Sequence, residues 1–342
     1  MKKFHLDRRQ VVSLLGASVV STAFASPVKA NTNLVIGALR LTSHSPTYIA
    51  LERGYFADEG LNIDLSFFES SAAAAVAVAG GDLDYGITSI SGGLMNLAQR
   101  GVVKVIGGAL AEDPTVPGQV ILASNSAFEA GLTDPSQLAG RTFGTTSAGS
   151  SFHYMLSRIA DANGIPMAEI TMRPLQKVGA IIGALTSNQI DAWVIQPSIA
   201  NRMIAEGSAQ RIGDFSSYDP SYQVTAVFTS TEIATNERGQ TETFLRALAR
   251  GVADYNAAFV DKTADTSEVE ELIELVHQYV NVDTPRETFA LSLTEGSMRI
   301  NQGLTLSTTS VGDQLRWMQS EGLVDAEITL DMLVDPSYVP TM

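Results

Sequence analysis

The sequence of 342 residues contains no cysteine and only four histidines, one of them among the first thirty residues. Disulfide bonds, thiol catalysis and zinc–thiolate centres are therefore excluded, and a metal site built from histidines is not expected. Lipid attachment at a processed N-terminus also needs a cysteine, so we expect no lipid anchor. The fold must be stabilised by its hydrophobic core, which this length allows.

Basic residues are scarce: 22 Lys and Arg stand against 37 Asp and Glu, a formal net charge of −15. Residues 1–30 hold five of the basic residues and one acidic residue, so residues 31–342 keep 17 basic and 36 acidic residues, a net charge of −19. Nucleic-acid-binding proteins hold phosphates with clustered Lys and Arg, and this balance excludes that class. The sequence also lacks a phosphate-binding GxxxxGK[ST] loop, an HExxH motif and a GxSxG motif.

The first thirty residues have the layout of an export signal, with a basic start, an apolar stretch over 11–24 and a small-residue end. The apolar stretch is too short for a membrane anchor. Arg8-Arg9 indicates the twin-arginine route; Asp7 stands where Ser or Thr is usual, so Sec export is the alternative. We expect cleavage after Ala30, or after Ala25 as second choice. An uncleaved amphipathic N-terminus is the remaining interpretation.

Strand-like and helix-like patterns alternate from residue 31 onwards. Strands are predicted at LVIGAL, NIDLSFF, LDYGIT and VVKVIGGAL, and helices over 46–60, 71–80 and 91–100, with Gly60 as the first C-cap. This alternation, with short turns, predicts the α/β class, in which a mostly parallel sheet is flanked by helices.

A second α/β series follows AEDPTVPG (111–118), and beyond residue 230 the pattern becomes mainly helical. AVAGGDLDYGIT (77–88) is similar to ALTSNQIDAWVI (184–195), with Asp84 and Asp191 lying 107 positions apart. Both aspartates begin a strand, away from the ligand-binding edge, and are predicted to be structural.

We therefore predict two similarly built lobes. The first lobe begins with residues 31–118, the second lobe comprises 119–226, and 227–342 returns to the first lobe with C-terminal helices. Two chain crossings, near 111–120 and 224–231, would form a hinge. The hinge would open a cleft beyond the carboxyl ends of the strands, where such folds bind ligands.

The segment GTTSAGSSFHYML (144–156) gives the sharpest local signal for a ligand site. A Gly/Ser/Thr loop leads from a strand into a helix, and the N–H groups of a helix start bind anions without a cation. The candidate ligand-binding residues here are Ser147, Gly149, Ser150, Ser151 and His153. Plain N-capping by serine, and a buried or surface role for the histidine, are the alternatives.

Further candidates lie at other predicted strand ends. In the first lobe they are Ser71 and Ser89, which begin or precede helices, and Arg40 and His44, which follow the first strand. In the second lobe they are Trp193, which would wall or stack on a ligand, and Gln196, at the end of the same strand. A surface salt bridge for the arginine and core packing for the tryptophan are the alternatives.

Four segments together resemble periplasmic solute-binding proteins of the nitrate/sulfonate/taurine and thiamine-precursor group (NMT1-like), which feed ABC importers. These segments are PTYIALERGYFADEGLNIDL, AVAGGDLDYGITS, SQLAGRTFGTTSAGSSFH and ALTSNQIDAWVIQPS. The resemblance implies a two-lobed type II binding-protein fold, and ligand contacts at Ser43-His44-Ser45 and Gly149-Ser150-Ser151. His44 is similar to a histidine of the thiamine-pyrimidine branch, whereas Gly-Ser-Ser-x-His is similar to the sulfonate and taurine branch.

The function implied is that of a non-enzymatic importer subunit in the periplasm. It would capture a small anionic or heteroaromatic solute and deliver it to a membrane permease with its ATPase, as a monomer without cofactor, metal or nucleic acid. A thiamine-pyrimidine precursor is the alternative ligand. A sensor subunit and an enzyme of this fold are the alternative functions.

Overall fold

A computed structural model describes residues 32–342, so the predicted export signal and its cleavage sites lie outside the described residues. The strands are β1 Thr32–Ala38, β2 Leu61–Phe67, β3 Tyr85–Ser89, β4 Val103–Gly108, β5 Val120–Ala123, β6 Thr142–Thr145, β7 Thr171–Pro174, β8 Ala192–Ile195, β9 Gln210–Asp214 and β10 Thr225–Ser230. The α-helices are α1 Ser45–Glu52, α2 Tyr55–Asp58, α3 Ser71–Gly80, α4 Gly92–Gln99, α5 Asn125–Glu129, α6 Ser151–Ala162, α7 Val178–Thr186, α8 Pro197–Ala205, α9 Thr231–Asn236, α10 Arg238–Tyr255, α11 Thr266–His277, α12 Arg286–Gly296, α13 Thr308–Ser320 and α14 Leu330–Leu333.

The strands form two five-stranded sheets, ordered β2-β1-β3-β10-β4 and β7-β6-β8-β5-β9. In the first sheet β1 is parallel to β2 and β3, and β10 is antiparallel to both of its neighbours. In the second sheet β6 is parallel to β7 and β8, and β5 is the antiparallel strand. The predicted α/β class, with two lobes that each contain a mostly parallel sheet, is confirmed.

The two sheets repeat one hydrogen-bonding device. An Asp84 carboxylate oxygen accepts the Val35 N–H at 2.7 Å, and an Asp191 carboxylate oxygen accepts the Thr142 N–H at 2.7 Å. Both pairs are separated by 49 positions, and each ties a residue of one parallel strand to the residue before the neighbouring strand. The structural role predicted for both aspartates is confirmed.

The first predicted helix is interrupted. Helix α1 ends at Glu52 and α2 begins at Tyr55, because Gly54 between them has a left-handed backbone (φ 73°). Gly60, also left-handed (φ 78°), follows α2 and leads into β2 as a C-terminal glycine does. The prediction of one helix over 46–60 was therefore wrong only at its centre.

The C-terminal helices cover both lobes. Helix α10 packs against α1, and α14 packs against α4 and β4 of the first lobe. Helix α12 instead packs against α8 of the second lobe. No local pattern in the sequence indicated this contact between the C-terminal region and the second lobe.

The chain crosses between the lobes through two paired segments. The Glu112 N–H donates to the Tyr222 carbonyl at 2.8 Å, and the Val224 N–H donates to the Leu110 carbonyl at 2.9 Å. Strand β10 then enters the first sheet at Thr225, directly after the second crossing. No helix in residues 32–342 is long and apolar enough to cross a membrane.

Candidate functional site

A cavity with about 620 Å³ of empty space, part of it open to solvent, lies between the two sheets. We call it the main cavity. Its polar lining comes from the carboxyl ends of strands and the starts of helices in both lobes, as expected for open α/β sheets. Its apolar lining includes Leu39, Leu41, Phe152, Met155, Ile195 and Val224.

His44 places an imidazole ring in the part of the cavity wall that the first lobe forms. The imidazole is 3 % exposed, lines the main cavity and accepts the Leu39 N–H at its Nδ1 at 3.5 Å. Burial lowers the pKa of His44 to about 4, so the ring is neutral at pH 7. With Nδ1 accepting, the proton is assigned to Nε2, which becomes a neutral donor.

Two serines of the first lobe share a hydrogen bond at the cavity wall. The hydroxyl groups of Ser71 and Ser89 lie 2.7 Å apart, and both residues line the main cavity. Ser71 is the first residue of α3, and the helix is capped by the preceding Ser70, whose hydroxyl accepts the Ala73 N–H. Ser71 lies at a helix start, as predicted, whereas Ser89 is the last residue of β3 and the next helix, α4, is capped by Ser91. Ser43 also lines the main cavity.

The second lobe presents the start of α6. Ser151 and Phe152 line the main cavity and begin the helix, so their N–H groups have no acceptor within the helix. The Ser150 hydroxyl accepts the His153 N–H at 3.4 Å and therefore serves as the N-cap. Ser150 and the exposed Ser147 line a neighbouring serine-rich cavity between the lobes, together with Ser71 and Ser89.

Gln196 joins the lobes beside the cavity. Its amide donates to the Thr42 hydroxyl at 3.1 Å, and that hydroxyl lies 2.8 Å from the Ser198 hydroxyl. Thr42 follows β1, whereas Gln196 and Ser198 stand at the start of α8, so these bonds cross the cleft. Gln196 lines the main cavity, where the sequence placed it.

Seven of the predicted residues do not line the main cavity. Ser147 and Ser150 line the serine-rich cavity and Arg40 lines an adjoining space. The other four are Ser45, Trp193, Gly149 and His153. Ser45 is fully buried, and its hydroxyl donates to the Thr42 carbonyl at 2.7 Å. Trp193 is fully buried in the core against Phe152, which agrees with the core-packing alternative. The remaining two, Gly149 and His153, are used in contact between the lobes.

Gly149 approaches the other lobe rather than a ligand. Its carbonyl accepts the Gly92 N–H at 3.0 Å, and a Cβ on Gly149 would lie 3.5 Å from that nitrogen. His153 accepts the Gly149 N–H at 3.1 Å and packs edge-on against Trp317, whose indole donates to the Ser157 hydroxyl at 2.7 Å. These contacts hold the cleft closed.

Arg40 borders an adjoining space instead of the main cavity. Its guanidinium donates to the Tyr279 carbonyl at 2.9 Å and lies 3.7 Å from the Phe67 ring centre. It makes no ion pair within the described residues, so the surface salt bridge considered for it is wrong.

Glu112 and Gln119 at the hinge were missed by sequence reasoning. Gln119 lines the main cavity, and its N–H donates to a Glu112 carboxylate oxygen at 2.9 Å. Glu112 is 4 % exposed, and its other carboxylate oxygen has no hydrogen-bond partner within residues 32–342. Burial, with the nearby Asp219 and Asp214 adding to it, raises the pKa of Glu112 to about 7. The acidic, proline-containing stretch around it gave no sign of burial.

The main cavity is nearly uncharged. Within residues 32–342 no Lys or Arg lines it, and its carboxylate is that of Glu69. The starts of several helices contribute partial positive charge, which suits an acceptor atom or a delocalised anion. Hydroxyl groups, amides and a neutral imidazole surround an apolar interior, and this combination can bind a small planar or anionic molecule.

Comparison with known proteins gives one family and one fold. A family model described as NMT1/THI5 like matches residues 41–258, more than half of the chain. No curated protein sequence matches.

Solved structures are similar over nearly the whole chain. The alkanesulfonate-binding protein SsuA from Xanthomonas axonopodis pv. citri, bound to MOPS, has a TM-score of 0.70 and 17% identity over 92% of this chain and 99% of its own. The nitrate-binding protein NrtA from Synechocystis PCC 6803 has a TM-score of 0.71 and 12% identity over 90% of this chain and 87% of its own. The desulfurization enzyme DSZB has a TM-score of 0.57 and 12% identity over 90% of this chain and 97% of its own. At these identities the likeness establishes the fold alone.

Proposed function

Because the chain belongs to the NMT1/THI5-like family, we propose that it is the substrate-binding component of an ABC importer. It would capture a small anionic or heteroaromatic solute between its lobes. The observation that carries this proposal is the cavity between the two sheets, which is lined by polar groups from both lobes and lies beside hydrogen bonds that cross the cleft. Such a cavity removes a solute from water and replaces its hydration with fixed donors.

Binding would be coupled to closure. Thr42, Gln196 and Ser198 bond to one another only when the lobes approach, so a solute that contacts both lobes prefers the closed form. A few kcal/mol of differential affinity is enough to shift the population toward that form. A membrane permease that docks on the closed form would then receive the solute.

The proposed function also implies a place of action and docking partners. We propose that the protein is exported through the segment 1–30, by the twin-arginine or the Sec route, and acts in the periplasm as a monomer. Its partners would be the permease and the associated ATPase. Two structural neighbours, an alkanesulfonate-binding protein and a nitrate-binding protein, support this assignment.

The lining favours one ligand class among those considered. A sulfonate or nitrate would rely on helix starts and hydroxyl groups alone, since cationic side chains are absent from the described lining of the main cavity. A heteroaromatic ring, such as a pyrimidine precursor, suits the apolar walls and the neutral His44 donor. The lining of the main cavity therefore favours the heteroaromatic class, which includes the pyrimidine alternative, over a bare sulfonate or nitrate.

Two other functions are separable by experiment. One structural neighbour is an enzyme, and chemical turnover of a bound solute would be the signature of catalysis. A sensor subunit would bind the same solute but dock on a membrane receptor. We propose binding without catalysis, in agreement with the two structural neighbours that are binding proteins.

A thermal-melt screen of the purified protein tests the proposal. The panel would contain nitrate, taurine, alkyl and aryl sulfonates, aromatic carboxylates, and pyrimidine and flavin precursors. A solute at 100 times its Kd adds about 2.7 kcal/mol to the free energy of unfolding, which raises Tm by several degrees. His44→Ala and Ser151→Ala should reduce the shift, whereas Ser126→Ala, an exposed serine on α5, should not. A shift that all variants share would place binding outside the main cavity.

A further inference from the structure

A second cavity, with about 720 Å³ of empty space that includes open solvent, adjoins the main cavity. We call it the side cavity. The two cavities share part of their walls, including Leu39, Leu41 and Gln196. The two cavities therefore lie next to each other, on either side of the side chains that they share.

Arg202 of the second lobe lines the side cavity. Its Nε is buried and makes no hydrogen bond, and the guanidinium forms no ion pair within the described residues. A buried donor on a charged group is costly to leave unpaired. The arginine lies in the last turn of α8, whose dipole tolerates a cation but offers no counter-ion.

Arg40 of the first lobe lines the same cavity. Its guanidinium is oriented by the Tyr279 carbonyl and by the face of Phe67, neither of which neutralises its charge. Two arginines from opposite lobes thus border one space in a chain with 37 acidic and 22 basic residues. Glu69 is the carboxylate that also lines this space, and neither arginine lies within ion-pair distance of it.

We propose that the solute carries an anionic substituent, a carboxylate, sulfonate or phosphate, which binds in the side cavity between Arg40 and Arg202. Its apolar or heteroaromatic part fills the main cavity. This inference rests on the proposed function and defines the ligand class of the same cleft. The planar guanidinium of Arg202 offers the fork of donors that such oxyanions bind. Because the two arginines belong to different lobes, the anionic group also draws the lobes together.

Calorimetric titration with matched pairs of probes tests the inference. Each pair has one charged and one neutral member of the same shape: benzenesulfonate with benzenesulfonamide, and pyrimidine-5-carboxylate with pyrimidine-5-carboxamide. The proteins are the wild type, Arg202→Ala, Arg202→Lys and Arg173→Ala, the last an exposed arginine on β7 of the same lobe that serves as the charge-matched control. Melting temperatures establish that each variant is folded.

The charged member of a pair is expected to bind the wild type more tightly than the neutral member. Arg202→Ala should weaken the charged member about 10- to 100-fold and leave the neutral member within about twofold. Arg202→Lys should fall between, because it keeps the charge but loses the fork. Arg173→Ala should change neither.

Three results would overturn the inference. The first is equal binding of the charged and neutral members by the wild type, and the second is an equal weakening of both members by Arg202→Ala. Either result would overturn the inference and leave the proposed function standing. If no member of any pair binds, the inference fails together with the proposed function for these ligand classes. The wild-type comparison decides the question even if an Arg202 variant does not fold.

Discussion

Burial changes the proton affinity of two side chains near the cleft in opposite directions. The pKa of His44 falls to about 4 and that of Glu112 rises to about 7, and desolvation is the leading cause of both shifts. Both groups therefore favour their neutral forms. The histidine acts at the cavity wall, whereas the glutamate lies behind Gln119 in the hinge.

Glu112 makes stability depend on pH in a defined direction. Its folded-state pKa, about 7, lies above the ordinary value of 4.5, so its unfavourable contribution grows as pH rises from 4.5 through 7. Glu112→Gln keeps an oxygen for the Gln119 N–H and removes the charge. We expect the variant to be more stable than the wild type by about 1–3 kcal/mol at pH 8 and nearly equal at pH 5.

Thermal melts at the two pH values check this expectation. Glu129→Gln, an exposed glutamate at the end of α5, is the matched control and should show no such dependence. If Glu112→Gln gains more stability over the wild type at pH 5 than at pH 8, the expected direction of the pH dependence is wrong.

Residue-scale features differ in how far the sequence predicted them. The Ser150 cap on α6 depends on the local sequence pattern. The structural role of the two aspartates was predicted from their repeated position at a strand start, although each bonds to a residue 49 positions away. The bond from Gln196 to Thr42 joins residues 154 positions apart, and the buried state of Glu112 depends on the hinge. Such contacts arise from lobe packing, which periodicity and propensity do not encode.

At the scale of elements, the repeated aspartate bond fixes neighbouring strands in register. Asp84→Asn and Asp191→Asn replace a charged acceptor of the strand N–H by a weaker one, so each should cost about 1–3 kcal/mol of stability. Asp191 also accepts from the Thr142 hydroxyl at 2.8 Å, so its replacement should cost more. Denaturant unfolding measures the loss, and solute affinity should stay unchanged. A change in affinity without a loss of stability would mean that the aspartates act in binding.

The loop before α6 couples backbone shape to closure. Gly149 has a left-handed backbone (φ 68°) and contacts Gly92 of the other lobe, so Gly149→Ala should strain the loop and weaken the bond across the cleft. We expect about 1 kcal/mol lower stability and a severalfold weaker solute affinity. Thermal melts and calorimetry measure the two effects.

Gly164→Ala is the matched control for this substitution. Gly164 has a nearly equal φ of 66° in the same lobe, and nothing lies within 4 Å of the Cβ that alanine would add. The control should lose similar stability and keep its solute affinity. Equal affinity losses in both variants would show that the contact with Gly92 has no role in closure.

Element-scale predictions succeeded where sequence pattern is strong. The alternation of strands and helices, the small-residue helix over 71–80 and the C-terminal helices all follow from periodicity and capping. The break at Gly54 and the packing of α12 on α8 did not, because a helical pattern tolerates a glycine and long-range packing leaves no local mark.

At the scale of the whole molecule, the two lobes meet through contacts that a solute would reinforce. Trp317 on α13 lies against His153 and Tyr154 on α6 of the second lobe, with ring centres 5.0 and 5.2 Å apart. The other tryptophan, Trp193, is fully buried inside the second lobe. The indole of Trp317 is therefore placed to report closure.

Solute binding should change tryptophan fluorescence through Trp317. The wild type and Trp193→Phe should both show the fluorescence change. Trp317→Phe should lose it, because Trp317 is the tryptophan that stands between the lobes. A fluorescence titration of the three proteins measures it. A signal that persists without Trp317 and vanishes without Trp193 would place the response in the core of one lobe rather than in closure.

The proposed function requires that one small solute occupies the main cavity. Native mass spectrometry of the purified protein, mixed with the full solute panel, measures occupancy and ligand mass together. Ser89→Trp, which fills the cavity from its wall, is the matched variant, with its fold checked by thermal melting. We predict a single one-to-one adduct on the wild type and none on Ser89→Trp. Equal adducts on both proteins, or none on the wild type across the panel, would contradict the account.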